Sequence, residues 1–407
     1  MPAVMDDRIV ILGAGQAGAR LAEALRDGGH TGPVTLVGAE VHPPYERPQL
    51  SKEMLLDPGA SLTPIKPVAG WGMAGIRLLT GMAVTGVDAA SRSVTLADGQ
   101  VLRWDRLVFA TGTRPRRLPL LEAGPVPVLY LRTVEDALDL RRRLRPGLRL
   151  AVLGGGVIGL EVAAAAVKQG CSVDLVETAP RLLSRAVPPL VAEQLSARHT
   201  LAGVGLHVGR QAVGMADGGV ILDDGRVLPA DLVLIGIGVE PCVDLALPLG
   251  IANADGIRVD AQGRTAQPGI FAIGDVARQW SRWHGRWLRV ETWANAQNQA
   301  LATAATLLGR DQPYADAPWF WSDQYDLSLQ VCGDATAGEM VVRGDPQGAF
   351  ATIHLVDGHI NGATSINAPG EMAALRRLVT ARAAINADQL ADPGFNLRRA
   401  VAAQPTS

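Results

Sequence analysis

The apolar positions of this chain fall into short unbroken runs, and two of those runs are followed by the same order of residues. Ile9-Val10-Ile11-Leu12 contains no polar side chain and is mostly branched, which predicts a strand buried on both faces. Leu150 to Leu153 predicts another. Each run stops at glycines: Gly13-Ala14-Gly15-Gln16-Ala17-Gly18 in the first case, Gly154-Gly155-Gly156-Val157-Ile158-Gly159 in the second. Small-residue helical stretches follow, expected over Ala19 to Asp27 before Gly28-Gly29 in the first and through the Ala-rich segment after Gly159 in the second. A further apolar run then leads to an acid. Val34 to Val37 leads to Glu40, 22 residues past Gly18, and the later run ends in Glu177, 18 past Gly159.

Strand, glycine turn, helix, strand and acid together make up a dinucleotide-binding unit. The first glycine allows the tight turn, the second lets backbone approach a pyrophosphate, and the third lets helix and strand pack closely. The helix N-terminus offers free N–H groups and about half a positive charge to the anion. The closing carboxylate is spaced to accept from ribose hydroxyls. The first glycines of the two units stand 141 residues apart, and two complete units point to two dinucleotides bound at once.

The remaining pattern fills in around these units. His42 to Lys52 is proline-rich and expected as an extended loop, with a helix from about Ser51 to Leu56. Arg47 and Lys52 there are either donors to a bound anion or solvated surface cations. Runs at Arg77–Leu79, Ala83–Asp88, Ser93–Leu96 and Val101–Arg103 predict an antiparallel meander turning at Asp98-Gly99. Arg106 to Gly112 is a strand ending in the small residues Ala110, Thr111 and Gly112, which would let a cofactor lie near backbone. Helices are expected over Val134–Leu144, Pro188–Ala202 and Glu291–Leu308. Strands are expected over Asp231–Ile237 and Gly269–Asp275, the latter delivering an acid where ligands sit in open α/β sheets. From Pro318 the pattern changes to an aromatic cluster, Trp319-Phe320-Trp321, alternating strands and a helical tail, which reads as a third, mostly antiparallel domain.

Composition narrows the class. With 407 residues, 48% hydrophobic and 19% charged, the chain suits a packed multidomain protein. A net charge of −2 gives no basic field for nucleic acid. Cys171, Cys242 and Cys332 are far apart with no CxxC, so neither a disulfide framework nor a metal site is indicated. The N-terminal MPAVMDDR carries acids before its first apolar run, unlike a signal peptide, and Glu161 interrupts the longest apolar tract. The expectation is a cytoplasmic protein with no membrane span.

The two glycine turns, Pro44 to Lys52, the Ala110-Thr111-Gly112 strand end, Phe271 to Asp275 and Trp319 to Gln324 together resemble the NADH-dependent ferredoxin reductases. These are FAD flavoproteins that feed [2Fe-2S] ferredoxins of bacterial dioxygenase or P450 systems. The likeness covers essentially the whole chain. It is strongest to reductase components of biphenyl-type ring-hydroxylating dioxygenases over Val176 to Leu182 and Glu291 to Asn298. It implies two Rossmann-like domains in a glutathione-reductase-like arrangement plus a C-terminal α+β domain. The FAD domain would be residues 1–114 with 243–317, the NADH domain 115–242 and the C-terminal interface domain 318–407. It also implies a monomer or weak homodimer, with a Rieske-type or putidaredoxin-type ferredoxin as partner.

By the same resemblance FAD would lie along Gly13, Gly15, Gln16 and Ala17, with Glu40 at the adenosine ribose. Arg47, Lys52 and Arg132 would follow the phosphates and flavin. Val84, Ala110, Thr111 and Gly112 would touch the cofactor, Asp275 would take the ribitol, and Trp293 would line the isoalloxazine. Relatives often carry an acid where Ala39 stands, leaving Glu40 alone for the ribose. NADH would take Gly154, Gly156, Val157, Ile158, Gly159, Glu177, Arg181, Arg185 and Gly238. Glu161, paired with Lys52, would stand near the nicotinamide; the alternative reading is a first-turn helix acid with a favourable dipole contact. Glu177 favours NADH over NADPH. A 2′-phosphate about 4 Å from its carboxylate would meet roughly 4 kcal/mol of repulsion per unit charge, close to a thousandfold in affinity. No protein nucleophile is needed, since the cofactors carry the chemistry.

Two other readings share these motifs. A flavoprotein disulfide reductase or NADH oxidase needs a flavin-side cysteine, and no cysteine precedes Cys171. An NADH-sensing flavoprotein resembling apoptosis-inducing factor would carry long insertions in the third domain, which are absent.

Overall fold

A computed structural model describes residues 6–403, and the chain divides into two compact units. Most of the N-terminal segment whose acids argue against a signal peptide, and the last four residues, lie outside the described range. One unit runs to Arg47 and resumes over Leu62–Arg114 and Glu240–Pro318; the other collects Pro48–Ser61, Pro115–Val239 and the chain from Trp319 onward.

The first unit is built on a five-stranded parallel sheet in the order Ile270–Ala272, Arg106–Phe109, Ile9–Leu12, Val34–Val37, Ile76–Leu79. The central strand is buried on both faces, as its unbroken apolar run requires, and its alternation divides two layers. Ile9 and Ile11 pack with Ala19, Leu21, Ala22 and Leu25 of helix Gln16–Asp27 and with Ala296, Ala300 and Ala304 of helix Trp293–Leu307. Val10 and Leu12 face the opposite way, into Val94, Leu96, Leu102 and Trp104. Val94, Leu96 and Leu102 belong to the meander of Val84–Asp88, Ser93–Leu96 and Val101–Arg103, and Trp104 follows it directly. Gly99 takes its hairpin turn with φ +86°.

The local pattern misplaced two features here. The run ending at Leu79 is not part of the meander; Ile76–Leu79 forms the outer strand of the parallel sheet, pairing Val34–Val37. A run as short as Ile76-Arg77-Leu78-Leu79 carries no signal for its partner's direction, and burial of Ile76 under the helical layer decides it. The first helix begins at Gln16 and not Ala19, because first-turn N–H groups have no intrahelical partner and small residues there cost little.

The second unit repeats the scheme. Its parallel sheet runs Gly205–Val208, Ser172–Glu177, Arg149–Leu153, Leu232–Ile235, Val128–Leu129. Helix Val157–Lys168 has a buried stretch from Gly159 through Ala166, and it packs against strand Trp319–Gln324 of the C-terminal sheet as well as against its own sheet. That C-terminal sheet is five-stranded and antiparallel, ordered Trp319–Gln324, Leu327–Gly333, His359–Ile366, Phe350–Val356, Glu339–Gly344. The segment from Pro48 to Ser61 also packs here. Met54 and Leu55 of helix Glu53–Leu56 are buried, Arg141 donates to the Asp57 carbonyl at 3.0 Å and Gln169 to the Leu55 carbonyl at 3.0 Å. The expected extended loop is therefore interrupted by a 3-10 turn over Arg47–Ser51, within whose first positions Pro48 is tolerated.

Both sheets carry the same clamp at their N-terminal edge. Arg8 holds Asp105 through its side chain and its backbone N–H, and Arg149 holds Asp231 the same way. The bidentate arginine pulls each carboxyl down to about 2. Each clamp ties the start of the central strand to the start of its parallel neighbour, opposite the glycine turns.

Candidate functional site

In the first unit the strand ends at Leu12, Val37, Phe109 and Ala272 open on one edge of the sheet, where ligands sit in folds of this type. Gly13 turns there with φ +115°, and a Cβ on it would lie 2.1 Å from the Ala110 carbonyl oxygen. A Cβ on Gly18 would lie 2.0 Å from the Gly13 oxygen, so both glycines are demanded by backbone packing. Gly15, at the N-cap, is different: nothing lies within 4 Å of its would-be Cβ, which leaves an open cradle at the helix N-terminus. Gln16, the first residue of that helix, is buried; its Nε2 reaches Gln297 at 3.3 Å while its Oε1 has no hydrogen-bond partner. Ala17 is buried, its Cβ 2.9 Å from where one on Gly274 would stand.

Glu40 follows Val34–Val37, Thr111 and Gly112 follow Arg106–Phe109, and Asp275 follows Ile270–Ala272, all at that edge. Glu40 accepts from the Tyr45 hydroxyl at 2.6 Å and from Arg47 at 2.5 Å. Burial alone would lower the Arg47 pKa, but Tyr45, Glu40 and Asp275 outweigh it and raise it. Arg47 is thus a paired cation and not a solvated one. Asp275, in the 3-10 turn Gly274–Val276, accepts from the Thr113 hydroxyl at 3.3 Å. Thr111 donates to the Cys242 carbonyl at 2.7 Å, and Gly112 has φ +66°. Trp293 opens helix Trp293–Leu307 and donates its indole N–H to Glu46 at 2.5 Å. Val84 is half-buried on the meander. Arg132 and Lys52 belong to the second unit.

The second glycine turn reproduces the first. Gly154 has φ +113°, with a would-be Cβ 2.4 Å from the Gly236 oxygen; one on Gly159 would lie 2.1 Å from the Gly154 oxygen; Gly156, at the N-cap, again meets nothing within 4 Å. Val157 is half-buried and Ile158 exposed beside that opening. The Glu177 carboxylate turns back onto the loop, accepting from the N–H of Gly155 and of Ala179, each at 2.7 Å. Gly238 (φ +100°) follows strand Leu232–Ile235, and its carbonyl accepts from the Arg116 N–H. Arg181 donates to the Val187 carbonyl at 2.7 Å, whereas Arg185 projects into solvent. Arg132 stands just before helix Val134–Arg143, its backbone N–H on Asp136.

Lys52 and Glu161 come together within this unit, with Nζ 3.6 Å from Oε1. Glu161 is 5% exposed and lies past the first turn of its helix, beyond the place where a first-turn acid would meet the dipole. Burial raises its pKa; Lys52 and the hydroxyls of Ser51 and Ser322 oppose that, and Asp323 adds to it. Ser51 donates to one carboxylate oxygen and Ser322 to the other, the latter at 2.7 Å. Lys52 also reaches Asp323 at 3.0 Å and lies 5.6 Å from the centre of the Trp321 ring. Ser51, Ser322 and Asp323 were not expected from the sequence; the available signal was the alternation in Trp319–Gln324, which puts Ser322 on the face opposite Trp321 and Asp323. Among the described residues no group of three or more His, Cys, Asp or Glu is placed to hold a metal ion.

Residues 7–300 match the model of the family described as pyridine nucleotide-disulphide oxidoreductases. The chain belongs to that family. Residues 319–401 match the C-terminal domain typical of reductases. Among curated oxidoreductases, the chain is 47% identical to the ferredoxin-NAD(+) reductase component of the p-cumate 2,3-dioxygenase system of Pseudomonas putida, over 96% of this chain and 98% of that one. It is 38% identical to the corresponding component of the biphenyl dioxygenase system of Paraburkholderia xenovorans (strain LB400), over 98% and 100%. Among solved structures it superposes on the reductase of a covalent putidaredoxin reductase-putidaredoxin complex with a TM-score of 0.92, at 37% identity over 98% of this chain and 99% of that one.

Membership of this oxidoreductase family implies FAD and a nicotinamide dinucleotide, and the residues present fit both. Each unit has an open N-cap glycine at a helix N-terminus, and the first adds the orphaned buried acceptor of Gln16. Such turns suit a pyrophosphate.

Proposed function

We propose that this protein oxidises NADH through a bound FAD and passes electrons one at a time to a [2Fe-2S] ferredoxin that supplies an oxygenase. The observation that carries this is the duplicated turn, with the same open cradle at Gly15 in one unit and Gly156 in the other. The names of the relatives, reductase components of dioxygenase systems, agree with it. FAD, when bound, supplies the conversion of a two-electron donor into single electrons.

The chain's own residues do the rest. Gly13, Gly15, Gln16 and Ala17 bind the FAD pyrophosphate, and Glu40, steadied by Tyr45 and Arg47, takes the adenosine ribose. Val84, Ala110, Thr111, Gly112, Asp275 and Trp293 line the rest of that site. Gly154, Gly156, Val157, Ile158 and Gly159 bind the NADH pyrophosphate, with Arg181, Arg185 and Gly238 beside it. Glu161 and Lys52 form the charged pair at the nicotinamide. Trp319 and Trp321, stacked at 5.1 Å with Arg376 3.9 Å from the Trp319 ring, offer the ferredoxin an aromatic and cationic face.

A disulfide-reductase reading needs a flavin-side cysteine in or before the first helix, and no cysteine precedes Cys171. Cys171, the first cysteine, is buried, donates to the Arg145 carbonyl and has its pKa pushed up by burial. The deciding experiment mixes the FAD-loaded protein with NADH, cytochrome c and a [2Fe-2S] ferredoxin. Cytochrome reduction that depends on the ferredoxin is expected; a long-lived reduced protein that passes electrons to no ferredoxin would sink the proposal.

Glu177→Ala tests the nucleotide preference. With its carboxylate anchored on the glycine turn, removal is expected to lower the ratio of kcat/KM for NADH over NADPH roughly a hundredfold. FAD content should be unchanged. An unaltered ratio would refute the role given to Glu177.

A further inference from the structure

The hydrogen bonds reaching Glu161 continue beyond Ser322. Gln324 Nε2 lies 2.9 Å from Ser322 Oγ, the Oε1 of the same amide lies 2.9 Å from His199 Nε2, and His199 Nδ1 lies 3.2 Å from the Tyr325 hydroxyl. His199, Gln324 and Ser322 are all buried. Each bond fixes the direction of the next. An ionised Glu161 can only accept, so Ser322 commits its single proton to Oε1. The Ser322 oxygen then accepts from the Gln324 amide nitrogen; a flipped amide would set two acceptors against each other. Gln324 Oε1 therefore accepts in turn, which puts the His199 proton on Nε2. Burial holds the His199 pKa below its ordinary value, with Arg198 adding to that against Gln324, so the ring is neutral and its Nδ1 accepts from Tyr325.

The far end of this chain is fixed by strain and charge. Tyr325 has φ +56°, an uncommon backbone for a residue of that bulk. It is held there by Arg198, whose guanidinium lies 4.2 Å from its ring centre and pairs with Asp326 at 2.5 Å. Consecutive residues at the end of helix Pro189–Leu201 thus grip the hairpin turn of the C-terminal sheet, and the polar chain runs from that grip to Glu161.

We propose that His199 and Gln324 are positioning residues for Glu161, acting through Ser322 to keep its carboxylate ionised and turned toward Lys52. This rests on the reading that Glu161 serves the nicotinamide. The groups facing Glu161 are Lys52, Asp323, Ser51 and Ser322; those facing His199 are Arg198, Gln324 and Tyr325. All four bonds point the same way, so each polarises the next.

The test uses the FAD-loaded protein. Nitrogen-15 histidine NMR is expected to show His199 neutral with its proton on Nε2. In anaerobic stopped flow, His199→Phe and Gln324→Leu are expected to slow flavin reduction by NADH about threefold to tenfold and to move the acidic limb of its pH profile upward. His199→Gln, whose amide nitrogen replaces Nε2 as donor, restores both. In a Ser322→Ala background His199→Phe adds nothing further. An Nδ1-protonated ring overturns the proposal, even where a variant fails to fold. So does an unmoved acidic limb in His199→Phe and Gln324→Leu while Glu161→Gln slows reduction. If Glu161→Gln leaves both rate and pH profile unchanged, the reading of Glu161 itself falls.

Discussion

Gly13→Ala is expected to abolish FAD binding by unfolding the first unit, whereas Gly15→Ala, two residues away, is expected to abolish it in a folded protein. At Gly13 the new methyl carbon would lie 2.1 Å from the Ala110 oxygen on a backbone at φ +115°, so strand or turn must separate. The combined overlap and strain is of the size that produces exceptional single-residue losses, more than about 4 kcal/mol. At Gly15 nothing lies within 4 Å, and the methyl would occupy the space left for the pyrophosphate. The measurements are flavin absorbance per protein and thermal melting by circular dichroism. Gly15→Ala protein that melts as wild type but purifies colourless, beside Gly13→Ala that is aggregated, is the expected pair. Gly15→Ala with full flavin content would overturn the role of this turn as the pyrophosphate cradle.

Lys52→Met is expected to cost roughly 3 kcal/mol of stability at pH 8, because it leaves Glu161 buried without its cation. The sign with pH follows from Glu161. Its folded pKa is raised by burial, and Lys52 is a cause that lowers it, so removing Lys52 raises it further. A carboxyl with a raised folded pKa binds protons more readily folded than unfolded, so the deficit is greatest when the group must be ionised and shrinks as pH falls toward its unfolded pKa. Urea unfolding at pH 8 and pH 5 reads this directly. Lys52→Met with Glu161→Leu should recover most of the loss, since an apolar replacement of a buried pair is often neutral or better. A deficit independent of pH would mean that Lys52 acts by packing alone.

Both glycine turns were legible because they are local: a strand, three glycines and a helix start within a dozen residues leave little else to form. The strands Ile9–Leu12 and Val34–Val37 were legible for the same reason, being runs long and apolar enough to need two covered faces. The surroundings of Glu161 were not. Ser51 lies 110 residues before it and Ser322 161 after, and a serine has no periodicity by which to be noticed. The pairing with Lys52 came from family likeness; only the fold supplies the hydroxyls that make it bearable. Glu40 shows a subtler gap, since its spacing suggested a ribose acceptor but not that Tyr45 and Arg47 already hold it. The hairpin of Ala277–Ser281 and Arg286–Arg289 left no signal, because alternating Trp and Arg reads as surface.

The strand order of the first parallel sheet also bears on how the chain is made. Arg106–Phe109 pairs Ile9–Leu12 on one side, but its other neighbour, Ile270–Ala272, is translated far later. At roughly 5–20 residues per second the ribosome leaves the edge of Leu107, Val108 and Phe109 open for on the order of ten to thirty seconds. An apolar strand with unpaired backbone is a template for wrong partners during that interval. Yield in rapid overexpression should therefore be limited by this waiting edge and improve when synthesis is slowed or chaperones are abundant.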